Sequence, residues 1–243
     1  MGLFKSLKEY TELAKLQSRI ARRFPSFAEQ KKWLDQLKRV DVHVESAHNQ
    51  SHILKFLVEI LEMPDTVEGC VVEAGAYKGA STAKISLFAA YKKRAVHVFD
   101  SFEGLPPNTE LHEKSTEGHS IKGWFEKGNF AGSLDEVKRN IEAYGVPSVV
   151  TCHKGWFEDT MPVFKEKVAL AYLDVDLAES TRTCLKYLYP LLQPGGVIVS
   201  QDGDFPMVIN VFRDEEFWRK EVGCSSLPPI EGLGKKITII RKK

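Results

Sequence analysis

The stretch VVEAGAYKGAS, residues 71–81, decides the fold class of this chain. An apolar run ends at the acidic Glu73, glycines follow at Gly75 and Gly79, and small residues suited to a helix start come next. This order predicts a buried strand, a tight turn and a helix. Such a unit binds nucleotide-like ligands at the carboxyl edge of an open parallel sheet.

Short apolar runs alternate with helical patterns on the C-terminal side of this stretch. The predicted strands are 70–73, 96–99, 148–152, 168–173 and 197–200, and the helices between them are 79–92, 133–144 and 177–192. Strands separated by helices pair in parallel through right-handed crossovers. The tail, with a helix at 208–218 and strands at 224–227 and 237–240, predicts an antiparallel closing pair. The fold class is therefore α/β, a Rossmann-like, doubly wound and mostly parallel seven-stranded sheet.

The first 65 residues are helical in pattern, and we predict that they form an appendage to one domain spanning residues 66–243. Apolar residues from Leu3 to Ile20 recur at helical spacing, with basic residues largely between them. This face suits packing on the chain's own domain or on a second copy in a homodimer; a membrane-surface helix is the alternative. A second helix is predicted from Ser26 and a third over residues 46–61.

Composition and charge disfavour a nucleic-acid-binding protein, an integral membrane protein and a disulfide-rich protein. The net charge of +1 gives no field that would attract nucleic acid. The apolar runs fall far short of the roughly 18 residues of a membrane span, so no integral membrane segment is predicted. The four cysteines are widely spaced and form no CxxC pair, which favours a reducing, cytoplasmic location.

The glycine turn departs from the G-x-G-x-x-G pattern of dinucleotide-binding proteins. Tyr77 stands where the middle glycine lets the backbone approach a pyrophosphate. Asp100 ends the second predicted strand, where an acid can accept hydrogen bonds from ribose hydroxyls. A ribose without a pyrophosphate at the turn fits S-adenosylmethionine, whereas an NAD-linked oxidoreductase is the rival interpretation that Tyr77 disfavours.

Four blocks in order, VVEAGAYKGAS, VFDSFEGLPP, KGWFEDTMP and LDVDLAESTRTCLKYLYPLLQPGGVIVSQD, resemble the macrocin-type O-methyltransferases. They cover residues 71–202. The resemblance implies a class I S-adenosylmethionine-dependent enzyme that methylates a hydroxyl on a sugar or a similar small metabolite. The cofactor-binding residues it implies are Glu73, Gly75, Ala76, Tyr77, Gly79, Ser81, Asp100, Ser101, Gly155, Trp156 and Asp174.

The resemblance also implies a magnesium ion held by Asp174 and by a pair of acids after the fifth strand. In this sequence that pair is Gln201 and Asp202. An amide oxygen can ligate a hard cation but carries no charge, so we expect weak Mg²⁺ affinity. This departure keeps open a second interpretation, a cofactor-binding or scaffold protein of the same fold that has lost catalysis.

Asp174 is the predicted catalytic residue, because an acid at the end of a buried strand faces the cofactor edge and can take the acceptor's proton. Asp176 is an alternative base, or only a helix cap. Residues 101–132 form a long connection containing Phe102, Trp124 and other aromatic residues, which predicts a substrate lid. The histidines at 43, 48 and 52 precede or begin the third helix, and no pattern selects one of them.

Overall fold

The computed structural model describes residues 2–47 and 49–243, with side chains from Tyr10 onward. Its seven-stranded sheet has the order β3-β2-β1-β4-β5-β7-β6. The strands are β1 (Cys70–Ala74), β2 (Val96–Asp100), β3 (Val150–Lys154), β4 (Val168–Leu173), β5 (Leu192–Ser200), β6 (Ile230–Glu231) and β7 (Thr238–Arg241). The helices are α1 (Gly2–Ala21), α2 (Phe27–His43), α3 (Gln50–Glu62), α4 (Ala80–Tyr91), α5 (Leu134–Tyr144), α6 (Phe157–Thr160), α7 (Ala178–Leu191), α8 (Pro206–Arg213) and α9 (Glu215–Phe217).

The first five strands pair in parallel, and β7 pairs antiparallel with both β5 and β6. The chain runs outward from β1 to β3 on one side and from β4 to β5 on the other. The order of the strands therefore reverses between β1 and β4, where ligands bind in open α/β sheets. The predicted fold class is confirmed.

The central strands are buried on both faces, which explains why they read as continuous apolar runs. On one face, α1, α3 and α4 share a core with β1 and β4, through residues such as Ile20, Phe56 and Tyr172. The N-terminal helices thus pack on the sheet itself; the domain boundary at residue 65 remains a prediction. Every helix in the described ranges is too short or too polar to span a membrane.

The N-terminal helix boundaries follow local caps. Ser26 and Glu29 form a reciprocal capping box at the start of α2, as the predicted start at Ser26 requires. The third helix begins at Gln50 rather than residue 46, because Asn49 is its N-cap and accepts a hydrogen bond from the Ser51 amide at 3.1 Å. His48 lies outside the described residues.

Two predictions about the tail are wrong. The helix at 208–218 is interrupted at Asp214, whose carboxylate accepts from the Phe217 amide at 3.0 Å and starts a new turn. The segment 224–227 is not a strand, because the Cys224 amide closes the preceding helical turn on the Trp218 carbonyl at 2.8 Å. The first strand of the closing pair is instead β6, after the two prolines.

Candidate active site

A cleft opens at the carboxyl ends of the strands and has about 1260 Å³ of empty space, counting its mouth. The predicted site residues that line it are Gly75, Ala76, Tyr77, Ser81, Asp100, Ser101, Gly155, Trp156, Asp174 and Gln201. Glu73, Gly79 and Asp202 belong to the segments behind this lining. Most of the predicted site therefore converges on one cavity, at the point where the strand order reverses.

The glycine turn lies directly against the end of β4. Gly75 has a φ of 86°, and a Cβ atom on it would lie 1.9 Å from the backbone oxygen of Asp174. The Asp174 amide donates to the Ala74 carbonyl at 3.0 Å, which holds the two strand ends side by side. Only glycine fits here, because the backbone angle and the space both disfavour a side chain. The close approach brings Asp174 to the turn.

Asp100 fastens the turn from the end of β2. Its Oδ2 accepts from the Ala76 amide and its Oδ1 from the Phe102 amide, both at 2.6 Å. Burial raises the pKa of Asp100, and these backbone amides oppose the shift. A carboxylate has about four lone-pair sites, so each oxygen can accept a further hydrogen bond from a ribose hydroxyl.

Glu73 lies fully buried behind the turn. Its Oε2 accepts from the Thr82 hydroxyl, 2.5 Å away at the start of α4. Burial raises the pKa of Glu73 to about 8, against the opposing effect of hydrogen bonds from Ser81 and Thr82. Glu73 therefore couples the strand to the first turn of α4, next to the lining residue Ser81.

The far side of the cleft is formed after β3. The Gly155 amide donates to the Asp100 carbonyl at 3.0 Å, which ties this segment to the acid at the end of β2. Trp156 follows and offers an aromatic ring to the cavity. Tyr77 lines the cleft from the glycine turn, and its hydroxyl donates to Glu45 at 2.9 Å in the segment before α3.

Three carboxylates meet where β4 and β5 end. Asp174, Asp176 and Asp202 each place one oxygen within 4.8 Å of the others. Asp202 Oδ2 accepts from the Val175 and Asp176 amides at 3.0 and 3.1 Å. Burial, followed by the charge of Asp174, raises the pKa of Asp202 to about 7. Burial also raises the pKa of Asp176, reinforced by the charges of Asp202 and Asp174.

Gln201 lines the cleft but directs its amide oxygen to a protein partner. Its Oε1 accepts a hydrogen bond from the Tyr172 hydroxyl, and both side chains are buried. Gln201 thus contributes a neutral, already engaged oxygen at a position predicted to ligate metal.

Lys236 is a lining residue that the sequence analysis missed. Its Nζ lies 3.4 Å from Asp204 Oδ1 and 4.0 Å from the centre of the Phe205 ring. Burial lowers the pKa of Lys236, but the charges of Asp202, Asp204 and the other two acids of the cluster outweigh burial and raise it. In the sequence, Lys236 follows an identical neighbour in a GKK string and carries no motif signal.

The long connection, residues 101–132, is fastened to the start of α7 by Glu110. Its two carboxylate oxygens accept from the Ala178 and Glu179 amides at 2.8 and 3.0 Å. His112 lies 2.8 Å from Glu110 and packs edge-on against Phe125. Glu110, and not Asp176, therefore caps α7. No sequence pattern identified Glu110, because its partners are more than 60 residues away.

The aromatic residues of this connection divide into two groups. Phe102 and Phe125 are buried and anchor the segment, whereas Trp124 is half exposed and lines the cleft together with Phe130. This arrangement suits contact with a ligand ring, and the lid remains a prediction.

Two named O-methyltransferases are similar in sequence to this chain. The 8-demethyl-8-(2,3-dimethoxy-alpha-L-rhamnosyl)-tetracenomycin-C 4'-O-methyltransferase of Streptomyces olivaceus is 34% identical over 192 residues, 74% of this chain and 69% of the relative. The mycinamicin III 3''-O-methyltransferase of Micromonospora griseorubida is 32% identical over 158 residues, 62% of each chain.

The solved structure of the O-methyltransferase NovP superposes with a TM-score of 0.62 at 22% identity, over 98% of this chain and 99% of NovP, which supports the fold. The sequence profile of the macrocin-O-methyltransferase (TylF) family matches residues 47–226, and this range contains the glycine turn and all three clustered carboxylates. The chain belongs to the macrocin O-methyltransferase family of enzymes.

Proposed function

We propose that this protein transfers the methyl group of S-adenosylmethionine to a hydroxyl of a sugar-bearing small molecule. The observation that carries the proposal is the contact between the Gly75 turn and Asp174. The turn suited to the cofactor lies against the backbone of Asp174, whose carboxylate suits proton removal, and both residues line one cleft. The family supports methyl transfer to oxygen, and the rhamnosyl compound in one relative's name supports a sugar-bearing acceptor.

The cofactor's parts are assigned by the polarity of each wall. The turn at Gly75–Tyr77 and Ser81 would hold the amino-acid end, and Asp100 with Ser101 would hold the ribose. Trp156 and Gly155 would lie on the adenine side, where Trp156 offers an aromatic surface. These assignments would bring the sulfonium into the cleft beside the turn and towards the Asp174 side chain, which is where the methyl group must be delivered.

In the proposed reaction the acceptor oxygen attacks the methyl carbon, and the carbon–sulfur bond breaks. The hydroxyl proton passes to a carboxylate of the cluster, Asp174 in the first instance and Asp176 as the alternative. S-adenosylhomocysteine and the methyl ether leave. The sulfonium already activates the methyl group, so the protein contributes mainly orientation and electrostatics.

Magnesium at Asp174, Gln201 and Asp202 remains a prediction from the family resemblance, and the described residues fit it poorly. The carboxylates suit a hard cation, which would polarise the acceptor hydroxyl. However, the Gln201 oxygen is neutral and accepts from Tyr172, and the Lys236 charge acts on the same cluster. The Asp202 Oδ2 atom accepts two amides, which leaves Oδ1, an atom without a hydrogen-bond partner in the described part of the chain, as the oxygen of Asp202 that could meet a ligand. The proposed reaction has no step that requires a metal.

Calorimetric titration of S-adenosylmethionine tests the cofactor, and formation of S-adenosylhomocysteine with rhamnoside acceptors tests the reaction. Asp174→Asn should lower turnover about 10³-fold, the scale of a lost general base, while cofactor affinity changes little. Asp135→Asn, an exposed aspartate on α5, is the matched control and should retain turnover. Binding without turnover on any acceptor would favour the scaffold alternative; no binding would refute the proposal.

A cytoplasmic location and a homodimer formed through the N-terminal helices are also proposed. The four cysteines are unpaired thiols, which agrees with a reducing compartment. Sedimentation analysis of the full chain tests the dimer.

A further inference from the structure

Lys236 reaches the carboxylate cluster because two backbone contacts pin its segment to the end of β5. The Gly203 amide donates to the Lys236 carbonyl at 3.3 Å, and the Gly234 amide donates to the Gly203 carbonyl at 3.0 Å. A Cβ atom on Gly203 would lie 2.6 Å from the Lys235 carbonyl, so the two segments are in close contact. These backbone contacts hold Lys236 in place in the lining of the cleft.

The charged side chains that act on Lys236 are carboxylates. Among the described residues that line the cleft, Lys236 is the one lysine or arginine. The carboxylates of Asp174, Asp176 and Asp202 converge with one another and act on Lys236 through their charge, and Asp204 Oδ1 lies 3.4 Å from its Nζ. Buried carboxylates that crowd together need a compensating positive charge to stay ionised, because their mutual repulsion and desolvation oppose ionisation.

The positive charge of Lys236 opposes the binding of a second cation at the carboxylate cluster. A divalent ion held by these carboxylates would share the cleft with the ammonium, and repulsion between the like charges would weaken its binding. Gln201 supplies no negative charge to offset that repulsion, and its oxygen is engaged by Tyr172.

We propose that the ammonium of Lys236 takes the place of a divalent cation at the carboxylate cluster and positions the acceptor hydroxyl for methyl transfer. The positioning half of this inference rests on the proposed function. Lys236 keeps its protons throughout: it donates a hydrogen bond to the acceptor oxygen, the hydroxyl proton goes to a cluster carboxylate, and the methyl group moves from sulfur to oxygen.

The first test measures Mn²⁺ binding by electron paramagnetic resonance, which needs no turnover. Lys236→Met should bind Mn²⁺ about tenfold tighter or more than the wild-type chain, since a like charge has been removed from the site. Lys236→Arg keeps the charge and should bind as weakly as the wild type. Lys235→Met removes an exposed neighbouring charge and is the matched control. Equal Mn²⁺ affinity in the wild type and Lys236→Met would overturn the proposal.

The second test uses the unaltered chain, so it holds even if Lys236→Met fails to fold. Turnover should survive treatment with EDTA, and loss of turnover that Mg²⁺ restores would overturn the proposal. In Lys236→Met, turnover should fall and recover in part with added Mg²⁺. A gain of Mn²⁺ affinity in a chain that does not bind S-adenosylmethionine would support the charge assignment while refuting the proposed function.

Discussion

The two sides of the cleft are built differently. The proposed cofactor side is made from backbone at strand ends: the Gly75 turn, the Ala76 amide on Asp100, and the Gly155 amide on the Asp100 carbonyl. The proposed acceptor side depends on side chains from distant segments: Lys236 from the tail lines the cleft, and Glu110 fastens the long connection to α7. The first is built from backbone contacts between adjacent strand ends of the sheet, and the second depends on side chains from segments outside those strand ends.

The largest expected effect comes from breaking the backbone-built side at Gly75. Gly75→Ala should cost about 4 kcal/mol of unfolding free energy, combining strain at positive φ with a clash against the Asp174 carbonyl. Cofactor binding should be lost with it. Denaturant unfolding and calorimetric titration measure the two effects.

Gly118→Ala is the matched control for that change. Gly118 has a similar φ of 81°, but a Cβ atom there meets no atom within 4 Å. This variant should therefore lose only about 1 kcal/mol, the backbone term alone. Equal losses in the two variants would show that the contact with Asp174 contributes nothing.

A smaller effect is expected from the buried acid behind the turn. The folded-state pKa of Glu73 is about 8 against an ordinary value of 4.5, so the folded chain binds its proton more tightly than the unfolded chain. The protonated form's contribution is fully present below pH 4.5 and is lost as the pH rises through 8. Between about pH 5.5 and pH 8, the wild type should lose about 3 kcal/mol relative to Glu73→Gln.

Thermal unfolding of both proteins between pH 4 and pH 9 measures this difference. Glu142→Gln, an exposed glutamate on α5, should follow the wild-type curve. A constant gap between wild type and Glu73→Gln across the pH range would contradict a raised pKa.

The smallest effect on stability comes from the acceptor side. Glu110→Gln removes the charge that caps α7 and pairs with His112, and should cost about 1 kcal/mol. Because the change loosens the connection that lines the cleft, the acceptor KM should rise about tenfold while cofactor affinity stays within about twofold. Glu113→Gln, in an exposed part of the same connection, should change neither value. Equal loss of cofactor and acceptor binding would refute the separation of the two sides.

The same difference explains which parts of the site could be predicted from the sequence. The strand, the turn and Asp100 follow one another within 30 residues, so spacing alone predicted them. Glu110 contacts the start of α7, and Lys236 contacts Asp204. These partners are distant in the sequence, so no local pattern predicts the contacts. The wrong strand at 224–227 has a different, local origin, since the Cys224 amide closes the preceding helical turn on the Trp218 carbonyl.

The cap that Glu110 provides has a consequence for changing acceptor preference. The amides of Ala178 and Glu179 are left for the connection to satisfy, since the helix's own N-cap side chain, Leu177, cannot. A connection transplanted from a relative must therefore bring an acidic group to this helix start as well as new lining residues. The segment to exchange is residues 101–132, with an acidic residue kept at position 110, and the Gly75 turn can be left unchanged.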